Sequence, residues 1–335
     1  MSEIGSGGGT SFPGGIDANS TPEVNSPNTG KTKARKEVVE DLTAVVLAIE
    51  NELGTDPAGS VTDVKTFLQT GHNTDGTHKG WIATSSYASF NLAVAAASNK
   101  NLMIDSSSPM TGNVTVLATT TIMPIYPGVI VSNGYTLTFN GPVVGNPMHQ
   151  WLSGFSAGNV TGLKESIPQW FGAVGDGVTD DLLAFQCARD STKSMYVLPL
   201  LAGNYYKLTN ALVIDIESFT LYGSGVKSLL CAYNSSGYNA ITVTAPHVTL
   251  RDIGVTGTLN SGHCIQLGEV GNPAHLASLI NIWLGWAGTN HLEIVEAISS
   301  VYINVCIDRD SGYRPAALIG ASEGVPTHGI NIHLS

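Results

Sequence analysis

The sequence predicts a mainly β protein whose C-terminal part is a solenoid of stacked short strands. Charged residues make up only 12% of the 335 residues, about half the share usual in globular proteins. The 38 glycines, together with many serines, threonines and asparagines, favour short strands joined by turns over solvated helices. From about residue 102 onward, alternating apolar segments are separated by turn residues, and Asn133-Gly134 is a strong turn signal.

Roughly the last 90 residues repeat with a period near 25 residues. Four similar segments carry isoleucines at intervals of 27, 23 and 27 residues: Ile253, Ile280, Ile303 and Ile330. Because side chains alternate along a strand, Ile280, Ile282 and Leu284 are predicted to face one side. Three asparagines are predicted to stack in one register, about 4.8 Å apart: Asn281, Asn304 and Asn331. Units that bury an apolar face only against the next copy indicate a solenoid, and three or more strands per turn make it a β-helix.

The stretch WFGAVGDGVTDDLLAFQ, residues 170–186, predicts a tight loop that leads into a short helix. Three glycines permit backbone angles that are closed to other residues: Gly172, Gly175 and Gly177. Thr179 is expected to cap a helix of about residues 181–190, whose first turn carries Asp180 and Asp181. Such a loop can also cradle phosphate, but the spacing is neither G-x-G-x-x-G nor a P-loop.

The N-terminal region divides into an extended tail and a helical segment. Residues 1–30 are rich in Gly, Ser, Pro and Asn, and they predict a tail that does not fold alone. Residues 31–100 begin with a helix whose apolar seam has heptad spacing and ends at Gly54: Val39, Leu42, Val46, Ile49 and Leu53. This seam fits a helix packed on a neighbour and a short parallel bundle of identical subunits equally well.

Charge and composition exclude several classes of function. A net charge of −11 argues against nucleic acid as a partner, because binding to its phosphates requires a basic surface. The sequence has neither a signal peptide nor an apolar run of about 18 residues, so it predicts a soluble chain without membrane insertion that is not exported by the ordinary route. The four cysteines lack C-x-x-C spacing and are expected to be buried thiols: Cys187, Cys231, Cys264 and Cys306. A polar segment contains possible metal ligands, but its spacing matches no compact motif, so neither a metal nor a cofactor is predicted: His72, Asp75 and His78.

The motif WFGAVGDGVTDD, followed by AFQ, resembles the N-terminal motif of the pectate-lyase-like proteins found in phage tailspikes and tail fibres. VLP at 197–199 and GNY at 203–205 are similar to later steps of the same pattern, whereas Arg189 replaces an apolar residue. The resemblance implies a right-handed parallel β-helix over residues 166–335, preceded by a small β transition segment at 101–165. It also implies that the loop caps the β-helix through nine residues: Trp170, Phe171, Gly172, Gly175, Asp176, Gly177, Thr179, Asp180 and Asp181.

The N-terminal region resembles the virion-proximal segments of phage tail fibres. The similar stretches are ELGTDPAGSVTDVKTFL and HNTDGTHK, although Thr74 stands where the His-x-His metal motif of some fibres has its second histidine. The resemblance implies that residues 1–100 attach to phage tail or baseplate proteins and that the chain forms a homotrimer. The expected location is the virion, with assembly in the host cytoplasm.

Stacked strands provide a geometry for paired carboxylates. Neighbouring rungs lie about 4.8 Å apart and alternate rungs about 9.6 Å apart, which brackets the carboxylate separations of retaining and inverting glycosidases. The catalytic candidates are Glu293, Asp308 and Asp310, although a solvated turn also explains the last two. Aromatic residues are candidates for glycan contact or for coverage by a neighbouring subunit: Trp283, Trp286, Tyr302 and Tyr313.

Two hypotheses follow from these observations. The first is a phage tailspike or tail fibre that adsorbs to host surface polysaccharide, including the case of a depolymerase acting as glycoside hydrolase or lyase. The second is a non-enzymatic tail adaptor that presents another fibre or spike on its open end, which the uncapped segment GINIHLS favours. The same segment leaves open that the active site lies partly or wholly beyond these residues. A cellular pectin-type lyase is disfavoured by the missing export signal.

Overall fold

The computed structural model describes residues 80–145, 148–233, 237–258 and 261–295, together with the strands at 301–307 and 330–334. The chain divides into two units, Met1–Gly80 and Trp81–Ser335, and the second is the one described below. The predictions for the tail, the N-terminal helices and the segment around His72 lie outside the described residues. Within the described residues the prediction of a mainly β protein is confirmed, and its sheets are parallel.

The first part of this unit, here called the N-terminal sheet group, consists of short strands and one helix. Its elements are β1 (Trp81–Ala83), α1 (Phe90–Ala96), β2 (Asn101–Ile104), β3 (Ser107–Pro109), β4 (Val114–Val116), β5 (Thr121–Pro124), β6 (Val129–Val131), β7 (Leu137–Phe139), β8 (Leu152–Ser153) and β9 (Val160–Thr161). They form three parallel sheets, β1-β2-β5, β3-β6-β8 and β4-β7-β9. Aligned residues such as Val114, Leu137 and Val160 recur at a constant interval along the chain.

The second part, the C-terminal sheet group, begins with a helix. Its elements are α2 (Leu182–Ser191), β10 (Ser194–Tyr196), β11 (Tyr206–Leu208), β12 (Leu212–Ile214), β13 (Thr220–Ala232), β14 (Ile241–Val243), β15 (Thr249–Gly257), β16 (Ile265–Leu267), β17 (Ser278–Leu284), β18 (Leu292–Ile294), β19 (Val301–Ile307) and β20 (Ile330–Leu334). One parallel sheet has the order β12-β14-β16-β18, and the other has the order β10-β13-β15-β17-β19-β20, with β11 also beside β13.

Each sheet group encloses its own apolar core. In the C-terminal group, aligned core residues recur once per strand repeat: Leu212, Ile241, Ile265 and Leu292. All of them are buried, and each stacks on the same position of the next strand. Parallel neighbours cannot be joined by a tight hairpin, so a long connection separates the paired strands throughout.

Residues 163–171 connect the two groups through backbone hydrogen bonds. The Ser166 N–H donates to the Ser194 carbonyl, and the Tyr196 N–H donates back to the Ser166 carbonyl. On the other side, the Trp151 N–H donates to the Trp170 carbonyl. Trp170 therefore belongs to the N-terminal core, while Phe185 of α2 belongs to the C-terminal core.

The predicted helix is confirmed to within one residue, but its predicted cap is wrong. The residue before α2 is Asp181, so Asp180 and Asp181 precede the helix rather than lie in its first turn. The Thr179 hydroxyl does not cap the helix, because it donates to the Asp176 carboxylate at 2.9 Å. Thr179 stabilises the loop instead.

The predicted alternation in the C-terminal repeats is also wrong in part. Leu279, Ile282 and Leu284 of β17 are buried, whereas Ile280 is partly exposed. Asn281 has a φ of 52°, and this left-handed residue shifts the alternation by one position in the middle of the strand. Asp252 has a φ of 55° at the same place in β15.

The asparagine ladder does not form in the predicted register. Asn304 is aligned with His333, while Asn331 is aligned with Tyr302. A side-chain pair of this kind does form earlier, where the Asn281 side-chain amide donates to the Asp252 carboxylate at 3.1 Å. Left-handed residues on adjacent strands bring these two side chains together.

The predicted turn is confirmed, and the predicted burial of the cysteines is correct for three of the four. Asn133 and Gly134 both have positive φ and form the turn between β6 and β7, which belong to different parallel sheets. Three cysteines are buried as predicted, whereas Cys306 is exposed, and all four are free thiols. Cys306 lies on the non-core face of its strand, a position that apolar sequence context does not reveal.

Candidate functional site

The predicted site residues fall into three groups. Glu293, Trp283 and Trp286 are described with their side chains, and so are the nine residues of the loop motif. Tyr302 is described as part of β19 by its backbone alone. Asp308, Asp310 and Tyr313 lie outside the described residues.

The loop motif organises its own backbone. The Asp181 carboxylate accepts hydrogen bonds from the N–H groups of Val174, at 2.7 Å, and Gly175, at 3.1 Å. Burial raises the pKa of Asp181, which its two N–H donors oppose. The Asp176 carboxylate accepts from the Thr179 and Val178 N–H groups, and these bonds hold its pKa below the usual value. Both carboxylates therefore act within the loop.

The motif glycines are required by geometry. Gly172, Gly175 and Gly177 have φ values of 102°, 68° and 74°. A Cβ at Gly175 would lie 2.6 Å from a methyl group of Leu200, and one at Gly177 would lie 3.1 Å from the Tyr205 ring. The loop thus packs closely on residues 200–206, and four of its N–H groups donate to the Asp181 and Asp176 carboxylates instead of remaining available to an anion. A phosphate cradle does not fit this arrangement.

Glu293 lies in a polar row on one face of the β12-β14-β16-β18 sheet. Thr242, Gln266 and Glu293 are aligned on three consecutive strands. Their sequence neighbours on each strand are core residues, so the row occupies the opposite face. The Glu293 side chain is 23% exposed to solvent.

His263 holds one oxygen of Glu293. The distance from His263 Nε2 to Glu293 Oε2 is 2.5 Å. His263 Nδ1 lies 3.1 Å from the Thr289 hydroxyl and accepts a hydrogen bond from the Asn290 backbone N–H at 3.3 Å. A backbone N–H can only donate, so Nδ1 is the accepting nitrogen of the ring, and the N–H of Nε2 is directed at Glu293.

Asn239 fixes the inner side of this cluster. Its Oδ1 accepts from the His263 backbone N–H at 2.8 Å, and its Nδ2 donates to Gln266 Oε1 at 2.5 Å. Gln266 Nε2 in turn donates to the Gly268 carbonyl at 2.8 Å. The chain of donors determines the orientation of both amides. We refer to Asn239, Thr242, His263, Gln266, Thr289 and Glu293 as the Glu293 cluster.

Two arginines are relevant to the charge around this cluster. Arg251 is the one Lys or Arg residue in the segment 228–295, which also carries the carboxylates of Asp252, Glu269 and Glu293. Arg189 donates to the Val213 carbonyl on β12, at the opposite edge of the sheet from β18, and is paired with Asp190. Arg251 lies on β15 in the other sheet, where its guanidinium is 3.1 Å from the Asp252 carboxylate and 4.4 Å from the centre of the Tyr222 ring. Arg251 is thus already paired with its own neighbours.

A second polar row lies on the other sheet and was not predicted from the sequence. Tyr196, Tyr222 and Arg251 are aligned on β10, β13 and β15, and the two tyrosine rings are 5.0 Å apart. The Tyr222 hydroxyl donates to Glu165, and burial together with that carboxylate raises the pKa of Tyr222 to about 12. The intervals between the three aligned residues match the strand repeat, so the period was the available signal. The aromatic faces of this row are covered by one another.

The two described tryptophans differ in exposure. Trp283 is partly buried and packs over Gly285, where a Cβ would lie 2.6 Å from its ring. Trp286 is 45% exposed. It lies in the connection between β17 and β18 that also carries Thr289 and Asn290, and its carbonyl accepts from the Gly257 N–H at 2.6 Å. Of the two, Trp286 is the ring that can meet a ligand.

Neither a metal cluster nor a membrane-spanning helix occurs in the described part of the chain. Its residues include no group of three or more His, Cys, Asp or Glu side chains able to hold a metal ion. None of its helices is long and apolar enough to cross a membrane. No protein-family model, curated protein or solved structure matches the sequence.

Proposed function

We propose that the chain is a phage tail protein, a tailspike or tail fibre, that adsorbs to host surface glycan through a right-handed parallel β-helix. The supporting observation is the regular parallel pairing of strands one repeat apart, with the 170–186 loop and α2 at the start of the C-terminal group. This is the position of a cap in the pectate-lyase-like pattern that the motif resembles. Stacked strands give the long ridged surface that a polysaccharide can follow.

In this proposal the two ends of the chain have different tasks. Residues 1–100 attach to the phage tail or baseplate, and the chain assembles as a homotrimer in the virion. The Glu293 cluster and Trp286 form the glycan-facing part of the described surface. A carboxylate, amides and a partly exposed indole ring are the groups that bind sugar hydroxyls and the apolar face of a sugar ring.

A polysaccharide depolymerase is the enzymatic form of the same proposal. Glycoside hydrolysis requires a second carboxylate about 5 to 9.5 Å from the first. Glu293 is the described candidate, and Asp308 and Asp310 are the remaining candidates for its partner. Lyase chemistry instead requires a base and a positive group facing the sugar carboxylate.

Binding and cleavage can be tested separately with the full-length chain. Immobilised capsule and lipopolysaccharide preparations are expected to retain the protein, and pre-incubation with the protein should protect the same bacteria from adsorption of the corresponding phage. New reducing ends indicate hydrolysis, whereas ultraviolet absorbance of an unsaturated product indicates a lyase. A folded oligomer that binds none of the surface glycans of a susceptible host would refute the adsorption function.

The second candidate is the non-enzymatic tail adaptor. It is favoured because four carboxylates already accept hydrogen bonds from neighbouring groups of the same chain and so are not free to bind a sugar. They are those of Asp176, Asp181, Asp252 and Glu165. An adaptor would bind a second tail protein and no glycan. Co-purification with tail components, measured together with absence of glycan binding, would select this alternative.

A further inference from the structure

We propose that the Glu293 cluster is a subsite for an uncharged sugar residue, in which Glu293 Oε1 accepts hydrogen bonds from sugar hydroxyls and His263 is a positioning residue. The proposal rests on the proposed glycan-binding function and specifies its substrate class. It concerns the face formed by β14, β16 and β18, and it predicts discrimination against sugars that carry a carboxylate.

The carboxylate is pre-oriented by the chain. Oε2 of Glu293 accepts a hydrogen bond from the Nε2–H group of His263. The Asn290 N–H donates to Nδ1 on the other side of the ring and so fixes its orientation. Oε1 has no hydrogen-bond partner among the described residues, and the side chain is 23% exposed to solvent. One oxygen is therefore committed to the protein, while the other can accept hydrogen bonds from a ligand. A group held in this way loses little side-chain entropy when it binds.

The surroundings of the carboxylate are rigid for the same reason. Asn239 holds the His263 backbone and the Gln266 amide together, and Gln266 is anchored to the Gly268 carbonyl. These bonds leave the amides satisfied, so Glu293 is the member of the cluster with unused accepting capacity. Carboxylates bind pairs of hydroxyls well because they accept several charge-assisted hydrogen bonds.

Charge determines which sugar fits. Among the described residues, a sugar carboxylate at Glu293 would meet no unpaired arginine. Arg189, at the opposite edge of this sheet, is paired with Asp190, and Arg251, on the other sheet, is paired with Asp252. Like charges at contact distance are unfavourable unless a counter-charge is present. An uncharged sugar has no such cost, and Trp286, on the connection that carries Thr289 and Asn290, offers a ring face for stacking.

The test uses one polymer in two chemical forms. A uronate-containing capsule is bound to the full-length chain before and after chemical reduction of its carboxylates to hydroxymethyl groups, alongside uncharged lipopolysaccharide O-chains. The reduced and uncharged polymers are expected to bind at least about tenfold more tightly than the native uronate form, a difference that should shrink as salt is added.

Three variants separate the subsite from the general function. Glu293→Gln is expected to weaken binding of the uncharged polymers by about 10- to 100-fold and to reduce discrimination against uronate. Glu269→Gln, on an exposed turn outside the cluster, is the matched control and is expected to bind like the unchanged protein. His263→Gln should weaken binding, and the double variant with Glu293→Gln should be no weaker than Glu293→Gln alone, because His263 acts through Glu293.

The outcomes distinguish the two proposals. If no polymer binds to the folded protein, the glycan-binding function itself fails. If the uronate form binds as tightly as the reduced form and Glu293→Gln binds both normally, the function stands and the subsite assignment is wrong. If the losses of binding affinity add in the double variant, His263 does not act through Glu293, and its assignment as a positioning residue is wrong. Thermal melting of each variant shows whether it is folded.

Discussion

The buried carboxylate of Asp181 gives the sharpest test of how the loop motif works. Asp181 is 1% exposed and accepts two backbone N–H groups, those of Val174 and Gly175. Asp181→Asn preserves the shape of the side chain but replaces one accepting oxygen with an NH₂ donor. One N–H group of the loop is then left facing another donor, in a place that water does not reach.

The cost of this change follows from the number of unsatisfied groups. A buried polar group without a partner costs about 1–3 kcal/mol, so the variant should lose about 2 kcal/mol of stability. For a unit of this size, each kcal/mol corresponds to about 2–4 °C in Tm, so the transition should fall by about 4–8 °C. Thermal unfolding followed by circular dichroism measures this shift. Hydrogen exchange at Val174 and Gly175 should accelerate in parallel.

Asp176→Asn provides the control within the same loop. Asp176 accepts comparable hydrogen bonds from Val178 and Thr179, but it is exposed, so water can replace its lost contacts. Its effect on Tm should therefore be much smaller. If Asp181→Asn melts no lower than Asp176→Asn, burial does not control the strength of these contacts, and the proposed role of Asp181 in the loop is wrong.

Three further predictions concern pH, packing and thiols. Hydrogen bonds from the Thr179 and Val178 N–H groups hold the pKa of Asp176 below its usual value, so its ionised carboxylate contributes stability that is present above pH about 4 and is lost as pH falls through the lowered pKa. The Tm difference between the unchanged protein and Asp176→Asn should therefore narrow as pH falls below about 4, and a difference that widens would contradict this sign. Gly158 and Gly162 have φ values of 81° and 84°, but only at Gly162 would a Cβ meet backbone, 2.1 Å from the Phe139 carbonyl oxygen. Gly158→Ala should therefore cost about 1 kcal/mol and Gly162→Ala at least about twice as much in urea unfolding, and equal costs would argue against the close approach. Burial raises the pKa of Cys187 and Cys231 to about 11 and raises that of Cys264, so at pH 8 a thiol reagent should label only Cys306 rapidly; labelling of three or more thiols before denaturation would show an open core.

Much of the fold could be predicted because its signals are local. Gly172, Gly175 and Gly177 have the positive φ values that a crowded glycine loop suggests, and α2 follows where the apolar spacing changes. The glycine conformations and the helix depend on residues within a few positions of one another. The strand period is visible because every strand buries the same kind of face against the next one, so the same apolar pattern recurs along the chain.

The errors have a common physical origin in side-chain contacts that compete with the rules for isolated strands and helix ends. Asn281 adopts a left-handed conformation beside Asp252, and this single angle moves Ile280 out of the core. Thr179 binds Asp176 instead of capping α2, because Asp181 turns toward the loop. Period-two alternation and capping rules describe isolated elements, and neither includes a competing partner elsewhere.

The candidate site was predictable only in part. Glu293 could be selected as an outward carboxylate, but His263 was not, because the two lie a full strand repeat apart in the sequence. The His263 ring is oriented by the Asn290 N–H, which donates to Nδ1, and its backbone N–H is held by the Asn239 side-chain oxygen. Only the pairing of successive strands brings these four residues together.

The sequence by itself determined the mainly β class, the strand period and the positive φ values of Gly172, Gly175 and Gly177, because apolar patterning and glycine positions are visible without knowing which strands pair. The tertiary structure decided which polar groups meet. It directed the His263 proton to Glu293, paired Arg251 with Asp252 and Tyr222, and left Trp286 exposed while Trp283 is partly buried. Strand register sets these contacts, and register depends on turns and left-handed residues summed over a whole strand repeat, which no local pattern specifies.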